Sequence, residues 1–213
     1  MTPALEAILR GVVARALEGA PPSHDLAHVE RVLRTAERLS EREGADRDVC
    51  RASALLHELV SLPKNHPDSA RSGDLCAEEA ARVLRGAGAA ERLVVRVAAA
   101  IRDHGFSKGV VPDSLEGKIL QDADRLDAIG AIGVARCVAT AAEMGSRLYH
   151  PGDPLARARA LDDKAYALDH FERKLFRIPA LLHTSSARAL ADERVAFMRA
   201  FVAQLGREVA FDP

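Results

Sequence analysis

Four side chains in this sequence are suited to hold a divalent cation, and all four fall in stretches that otherwise read as apolar helix. His28 lies one residue before Val29 and four before Val32. His57 and Glu58 stand side by side near the end of the run CRASALLHELV. Asp124 sits in ILQDADRLDAIG, four residues after Leu120. Taken singly, each has an ordinary explanation. A histidine at the margin of a core is usually hydrogen-bonded, and a half-buried aspartate is usually a cap or an ion-pair partner. The set Asp122, Asp124 and Asp127 is harder to absorb, because like charges one turn apart cost a few tenths of a kcal/mol per pair (roughly) in a helix. Arg125 offers modest compensation and a divalent cation offers more. Two imidazoles plus carboxylates, delivered by three separate helices, suit Mn, Fe, Ni or Zn. A cation held there would lower the pKa of its water and neutralise charge developing on a phosphoryl group.

A second dipeptide competes for attention. SHDLAH contains His24 and Asp25, but it precedes His28 instead of lying between the first and last of the four residues. We read His24-Asp25 as a decoy for the metal site. His24, four residues before His28, is expected on the same helix face, lining the site without binding metal.

The elements that must position these residues follow from helical periodicity, which dominates the chain. Pro3 to Leu17 reads as an amphipathic opener ended by GAPPS. Ser23 is the expected N-cap of a helix whose apolar face holds Val29, Val32, Leu33, Ala36 and Leu39, with Gly44 closing it. Asp46 caps a third helix expected to run through Val60, and SLPKNHPDS breaks the pattern. Helix resumes through Leu84, then from Leu93 to Ile101, then from Leu115 to Ile129. Gly130 and Gly133 interrupt before the pattern continues to about Met144. Asp162 to Phe176 and Ala187 to Val209 form a last pair, separated near Pro179. No alternating strand pattern, repeat or low-complexity tract is evident. The expectation is an all-α, single-domain fold over 1–213, with a metal-site core at about 20–145 and a C-terminal helical pair at about 160–210 packed on it.

Composition narrows the function classes. The formal net charge of -1 gives no electrostatic reason to bind nucleic acid or an anionic membrane. Aromatics make up 4% with no Trp, so platforms for stacking bases are scarce. Cys50, Cys76 and Cys137 are far apart and odd in number, which argues against a zinc knuckle or a disulfide framework and for reduced thiols in a cytosol. MTPALEAILRGVVARALEG carries charges throughout and is not expected to be a signal peptide. No apolar stretch reaches the roughly 18 residues a spanning helix needs. A cytoplasmic protein is the expectation, with oligomeric state open.

The order His28, His57-Glu58, Asp124 resembles the H…HD…D signature of the HD-domain metal-dependent phosphohydrolases. SHDLAHVERV, LLHELVSLPKNHPDSARS, IRDHGFSKG, KILQDADRLDAIGAIGVAR and LDDKAYALDHFERKL together resemble the YedJ/YpgQ-like bacterial subgroup, over most of the chain. The resemblance implies an all-helical bundle of the HD-domain type and hydrolysis of phosphate esters or anhydrides, with nucleotides as the substrate class. It implies that His28 and His57 are imidazole ligands and Asp124 the distal carboxylate ligand. The signature aspartate falls on Glu58, one methylene longer, so this chain carries HE in place of HD.

The expected reaction is cleavage of nucleoside or deoxynucleoside triphosphates by attack of a metal-bound water at phosphorus. Manganese is the first choice of metal, with Mg, Fe, Ni, Co and Zn as alternatives. Glu58 counts both as a ligand and as a catalytic residue. Asp127, one turn after Asp124, would orient a ligand or assist a proton transfer. Lys64 and Arg71 are the nearest candidates to meet phosphate charge, although solvated loop charge explains them equally well. His104 could donate to a phosphate oxygen. His170 and Lys174 share a helix face and could clamp distal phosphates, or could simply be neighbours on that face. Tyr149 lies in the long GSRLYHPGDPLARARALDD loop, a candidate lid with this residue stacking on a base. The competing reading is a nucleotide-binding or regulatory protein of the same fold, its turnover weakened by Glu58. A purely structural helical scaffold is a third, and it leaves the acidic cluster unexplained.

Overall fold

The structure is a computed structural model, and it describes residues 1–20, 25–60, 62, 68, 71–105 and 108–210. Among these the architecture is all-α. Nine α-helices run in the order α1 (Pro3–Ala16), α2 (Leu26–Glu43), α3 (Arg47–Leu56), α4 (Ser72–Gly86), α5 (Glu91–Arg102), α6 (Leu115–Asp127), α7 (Gly130–Glu143), α8 (Ala167–Arg173) and α9 (Ser185–Ala210). A 3₁₀ helix, Leu175–Leu181, lies between the last two. Among the described residues the only extended pairing is an isolated bridge between Arg147 and Tyr166. No described helix is long and apolar enough to cross a membrane. The chain separates into two compact units, Met1–Asp124 and Arg125–Pro213.

In the first unit α3 is the central element. Val49, Cys50, Ala52, Ser53, Ala54, Leu55 and Leu56 are all buried, so the helix is covered nearly all round rather than along one stripe. It packs against α1, α2 and α5, and α5 packs in turn against α4. The partners are amphipathic. On α2 the buried face is His28, Val29, Val32, Leu33, Ala36, Leu39 and Ser40, the i, i+3, i+4 stripe of a helix resting on a core. A cross-link of ions fixes the far end of α3. Arg96 on α5 donates to Glu116 of α6 and to Asp46, whose carboxylate caps α3 through the amides of Asp48 and Val49.

Two boundaries differ from the sequence expectation. Asp25, not Ser23, is the N-cap of α2, its carboxylate accepting from the His28 amide at 2.8 Å. The helix begins at Leu26, so the position that must supply an extended backbone and a side-chain acceptor is 25. Helix α3 stops at Leu56 instead of continuing through Val60. The chain tightens there, with Leu59 N–H donating to Leu56 carbonyl across three residues. The Cys76 thiol donates to the carbonyls of Leu56 and His57, taking over two acceptors that a continuing helix would have used.

In the second unit α7 packs against α8 and α9, and the 3₁₀ helix joins α8 and α9. Phe171 is buried between Phe176 and Phe201. The turn before α7 depends on glycine twice. Gly130 has φ +82°, and a Cβ on Gly133 would stand 2.3 Å from the Ala128 carbonyl oxygen, closer than any side chain can approach. The expected helix Asp162–Phe176 starts five residues later. Asp162 folds its carboxylate onto the amides of Lys164 and Ala165, an Asx-type turn that competes with helix. The expected separation near Pro179 is present, with Pro179 inside the 3₁₀ helix that lies between α8 and α9.

Candidate metal centre

The first unit brings together the four residues expected to hold a cation. His28 sits in the first turn of α2, where the Asp25 cap fixes its backbone. His57 occupies the C-cap of α3 and Glu58 follows it. Asp124 projects from α6, four residues after buried Leu120. Nε2 of His57 lies 3.3 Å from Nε2 of His28. Glu58 Oε1 is 3.8 Å from Nε2 of His28 and 3.9 Å from Nε2 of His57, and Asp124 Oδ1 is 3.6 Å from Nε2 of His28. The ligand atoms of His28, His57 and Glu58 all fall within 4.8 Å of one another. Both imidazoles are fully buried, while the side chains of Glu58 and Asp124 are 11% and 27% exposed. The site therefore has nitrogen at its floor and oxygen at its opening.

The protonation of the floor follows from its partners. His57 Nδ1 lies 2.7 Å from the Ala54 carbonyl oxygen. A carbonyl only accepts, so Nδ1 carries the proton and the Nε2 lone pair is turned toward His28. Burial, with the neighbouring His28 and His104 acting in the same direction, pushes the His57 pKa down to about 4 against the pull of Glu58 and Asp124. The imidazole is thus neutral at physiological pH, the form that ligates metal. Cys76, which buttresses the His57 carbonyl, has its thiol pushed up to about 11, chiefly by burial. It stays protonated and acts as a donor.

The donor set tests whether a divalent cation fits. Adjacent ligands held about 2.1 Å from one ion stand about 3 Å apart. The observed separations of 3.3 to 3.9 Å are slightly wider than that edge, and too long for hydrogen bonds between the carboxylates and the imidazoles. Two neutral imidazoles and two carboxylates match a borderline divalent ion and leave coordination positions over. The residues fit the group.

Other expected residues fall variously. His104 follows the C-terminus of α5, its ring centroid 5.4 Å from that of His57 in an edge-on arrangement. Its Nδ1 is 2.5 Å from the Ile101 carbonyl oxygen, so the same tautomer argument applies. Arg71 is the exposed residue preceding α4. His24 and Lys64 lie outside the described residues. In the second unit, Asp127 is buried and accepts from Arg136 at 2.7 Å. His170 pairs through Nδ1 with Asp163 at 3.0 Å. Lys174 is the C-cap of α8, and Tyr149 is half-buried. The loop carrying Tyr149 is tied down by Arg147 amide donation to the Ala165 carbonyl and by an ion pair between partly exposed Arg159 and buried Asp169.

Sequence reasoning missed Cys76 and Gln121. The first looked like one of three scattered thiols, and its spacing from His57 carries no signal. Gln121 was legible only as a polar residue on an otherwise apolar face of α6; it is fully buried.

Comparison with known proteins identifies the family and the fold. The HD domain family matches residues 25–129, the span that holds all four residues. The Bacillus subtilis (strain 168) protein YpgQ is 39% identical over 191 residues, covering 87% of this chain and 84% of its own. The crystal structure of Bacillus subtilis YpgQ in complex with ADP superposes with a TM-score of 0.75 at 34% identity, covering 96% of this chain and 94% of that one. An HD-superfamily hydrolase from Bacillus thuringiensis gives a TM-score of 0.73 at 30% identity over 96% and 95% of the two chains. With its paired histidines, its carboxylates and its helical frame, the chain belongs to the HD-domain family, in the YpgQ-like subgroup.

Proposed function

We propose that this protein is a metal-dependent phosphohydrolase acting on nucleotides, releasing phosphate or pyrophosphate from ribo- or deoxyribonucleoside triphosphates. The observation that carries the reading is the 3.3 Å approach of two buried imidazole nitrogens beneath two carboxylates. The ADP bound by YpgQ supports a nucleotide as ligand. A divalent cation, with manganese the first choice, supplies Lewis acidity toward phosphoryl oxygens and makes water acidic near neutral pH. His28, His57, Glu58 and Asp124 would hold it.

The chain's own groups supply the rest. The carboxylates at the opening repel an unescorted phosphate and accept one that arrives with a cation. His104, its Nδ1 proton held by a carbonyl, has Nε2 left for a phosphate oxygen in its protonated form or a proton in its neutral form. Arg71 is proposed to meet phosphate charge, as are Lys64, His170 and Lys174 on their sequence pattern. Asp127 is proposed as an orienting group, acting from its ion pair with Arg136. Glu58 reaches both imidazoles to within 3.9 Å, so the longer side chain still delivers its carboxylate to the cluster.

The test is release of phosphate and pyrophosphate from a nucleotide panel with Mn²⁺, beside metal analysis of the reconstituted protein. Turnover that vanishes in Asp124→Ala supports the reading. Absence of bound divalent metal after reconstitution sinks it. In Glu58→Asp the rate is expected to stay within about a hundredfold of the parent, because a shift near 1 Å at a reacting group costs up to that much. A rise from no turnover to turnover in that variant would instead identify the parent as a nucleotide-binding protein with weakened chemistry.

A further inference from the structure

His104 reaches the candidate site just after the end of α5, and the residues immediately before it are held by several contacts. The Gln121 carboxamide on α6, fully buried, donates from Nε2 to the Asp103 carbonyl and to the Val110 carbonyl, each at 3.0 Å. One side chain thus ties Asp103 and Val110 to the same helix that carries Asp124. Lys108 adds a second clamp, its ammonium lying 3.0 Å from Asp74, 3.1 Å from Asp103 and 3.1 Å from the Arg102 carbonyl. A third constraint is steric. A Cβ on Gly73 would stand 2.6 Å from the Arg102 carbonyl oxygen, so α4 and the end of α5 touch backbone to backbone. Polar and steric constraints converge on the two residues before His104.

We propose that Gln121 is a positioning residue for His104. Its paired donation to Asp103 and Val110 fixes the edge-on seat of the His104 imidazole beside His57. This inference rests on the reading of His104 as a substrate contact in the proposed hydrolase. The reasoning is one of preorganisation. A polar group that meets phosphate must be held within about 0.5 Å of its working place, and a segment after a helix end does not hold itself. Gln121 has the right chemistry because two carbonyls need two N–H donors, which a carboxamide nitrogen has and a carboxylate lacks.

The experiment follows the His104 ring directly. In metal-free full-length protein, the His104 imidazole signal is identified in long-range ¹H–¹⁵N spectra by its loss in His104→Ala. It is expected to move or broaden in Gln121→Met and in Gln121→Glu, while the signal of His150 stays in place. Two variants are used because a buried substitution can unfold the chain; Gln121→Glu keeps the shape and removes the donors. With Mn²⁺ and the nucleoside triphosphate that the panel identifies, KM should rise about tenfold with kcat held within about twofold. Adding Gln121→Met to His104→Ala should cost nothing further, since the two act through one ring. An unmoved His104 signal in the folded variants overturns the proposal, as does a full additional loss in the double variant. Absence of turnover in the parent overturns the hydrolase reading instead, and the spectra then decide the role of Gln121 alone.

Discussion

Two pairs of carboxylates, one in each compact unit, are held in opposite ways. In Arg125–Pro213, Asp169 is buried and meets Arg159 in a two-pronged ion pair, with Nη2 donating at 2.7 Å and the Asp162 amide adding a further 2.7 Å bond. Asp127 likewise lies 2.7 Å from Arg136. In Met1–Asp124, the carboxylates of Glu58 and Asp124 stand 3.6 to 3.9 Å from the imidazole nitrogens. The first arrangement is closed, with charge neutralised at hydrogen-bond distance. The second holds its donors apart around a common space. An acid closed off with arginine is neutralised within the chain, whereas Glu58 and Asp124 lie beside imidazole nitrogens in an arrangement proposed to hold a cation.

The contrast can be broken from either side, and the largest effect should come from the open cluster. His57→Ala is expected to remove more than about a hundredfold of any Mn²⁺-dependent turnover, since even groups that only orient metal ligands are worth about 10 to 100-fold. Truncating this buried ring also leaves a void and an unpaired Ala54 carbonyl, so His57→Gln, which refills much of the space and keeps a donor, is the companion variant expected to lose the turnover with a smaller change in urea unfolding of the metal-free protein. Steady-state kinetics and denaturation curves on one preparation check both halves. Asp169→Asn should do the reverse. Removing the charge of buried Asp169, which accepts from Arg159 and from the Asp162 amide, should lower the urea midpoint, while metal content per folded molecule stays that of the parent. If Asp169→Asn loses metal and His57→Gln keeps both metal and turnover, the distinction between the two pairs is wrong.

The smallest effect sharpens the same comparison through pH. The folded chain keeps His57 neutral down to about 4, and the unfolded chain takes up that proton near 6.5. Between those values the unfolded state binds more protons, so stability of the metal-free protein falls as pH falls. The full span corresponds to about 3 kcal/mol. The paired carboxyls of Asp46 and Asp163, held below their usual range against burial by Arg96 and by His170 respectively, contribute in the same direction but below the ordinary carboxylate range. Replacing His57 with Gln should flatten the slope between about 6.5 and 4 and leave the more acidic limb intact. A slope unchanged by that substitution would show that another group carries it.

What the sequence allowed to be read tracks what is local. The apolar stripe Val29, Val32, Leu33, Ala36 and Leu39 predicted the buried face of α2 because the 3.6-residue period is written into it. Gly130 and Gly133 announced the break between α6 and α7, since only glycine suits those backbones. His28, His57, Glu58 and Asp124 were legible as polar residues set into apolar runs. The end of α3 was not. LLHELV keeps its helical pattern past Leu56, and the helix stops because Cys76, nineteen residues further on than His57, takes the terminal carbonyls. The start of α8 was hidden for the converse reason, a local turn at Asp162 beating a helical pattern. Gln121 and the Arg159–Asp169 pair depend on partners far along the chain, and no spacing rule encodes them.

The early stop of α3 has an electrical consequence. A helix gathers about half a negative charge at its carbonyl end. On α3 that end is at His57, and its last turn contains no basic residue to offset it. The helix axis therefore contributes its macrodipole to the same spot as the lone pairs. At the other side, the half positive charge at the start of α2 is met by the carboxylate of Asp25. The backbone itself thus biases this corner of the protein toward cations, and a helix continued through Val60 would have carried that bias a full turn beyond the histidines.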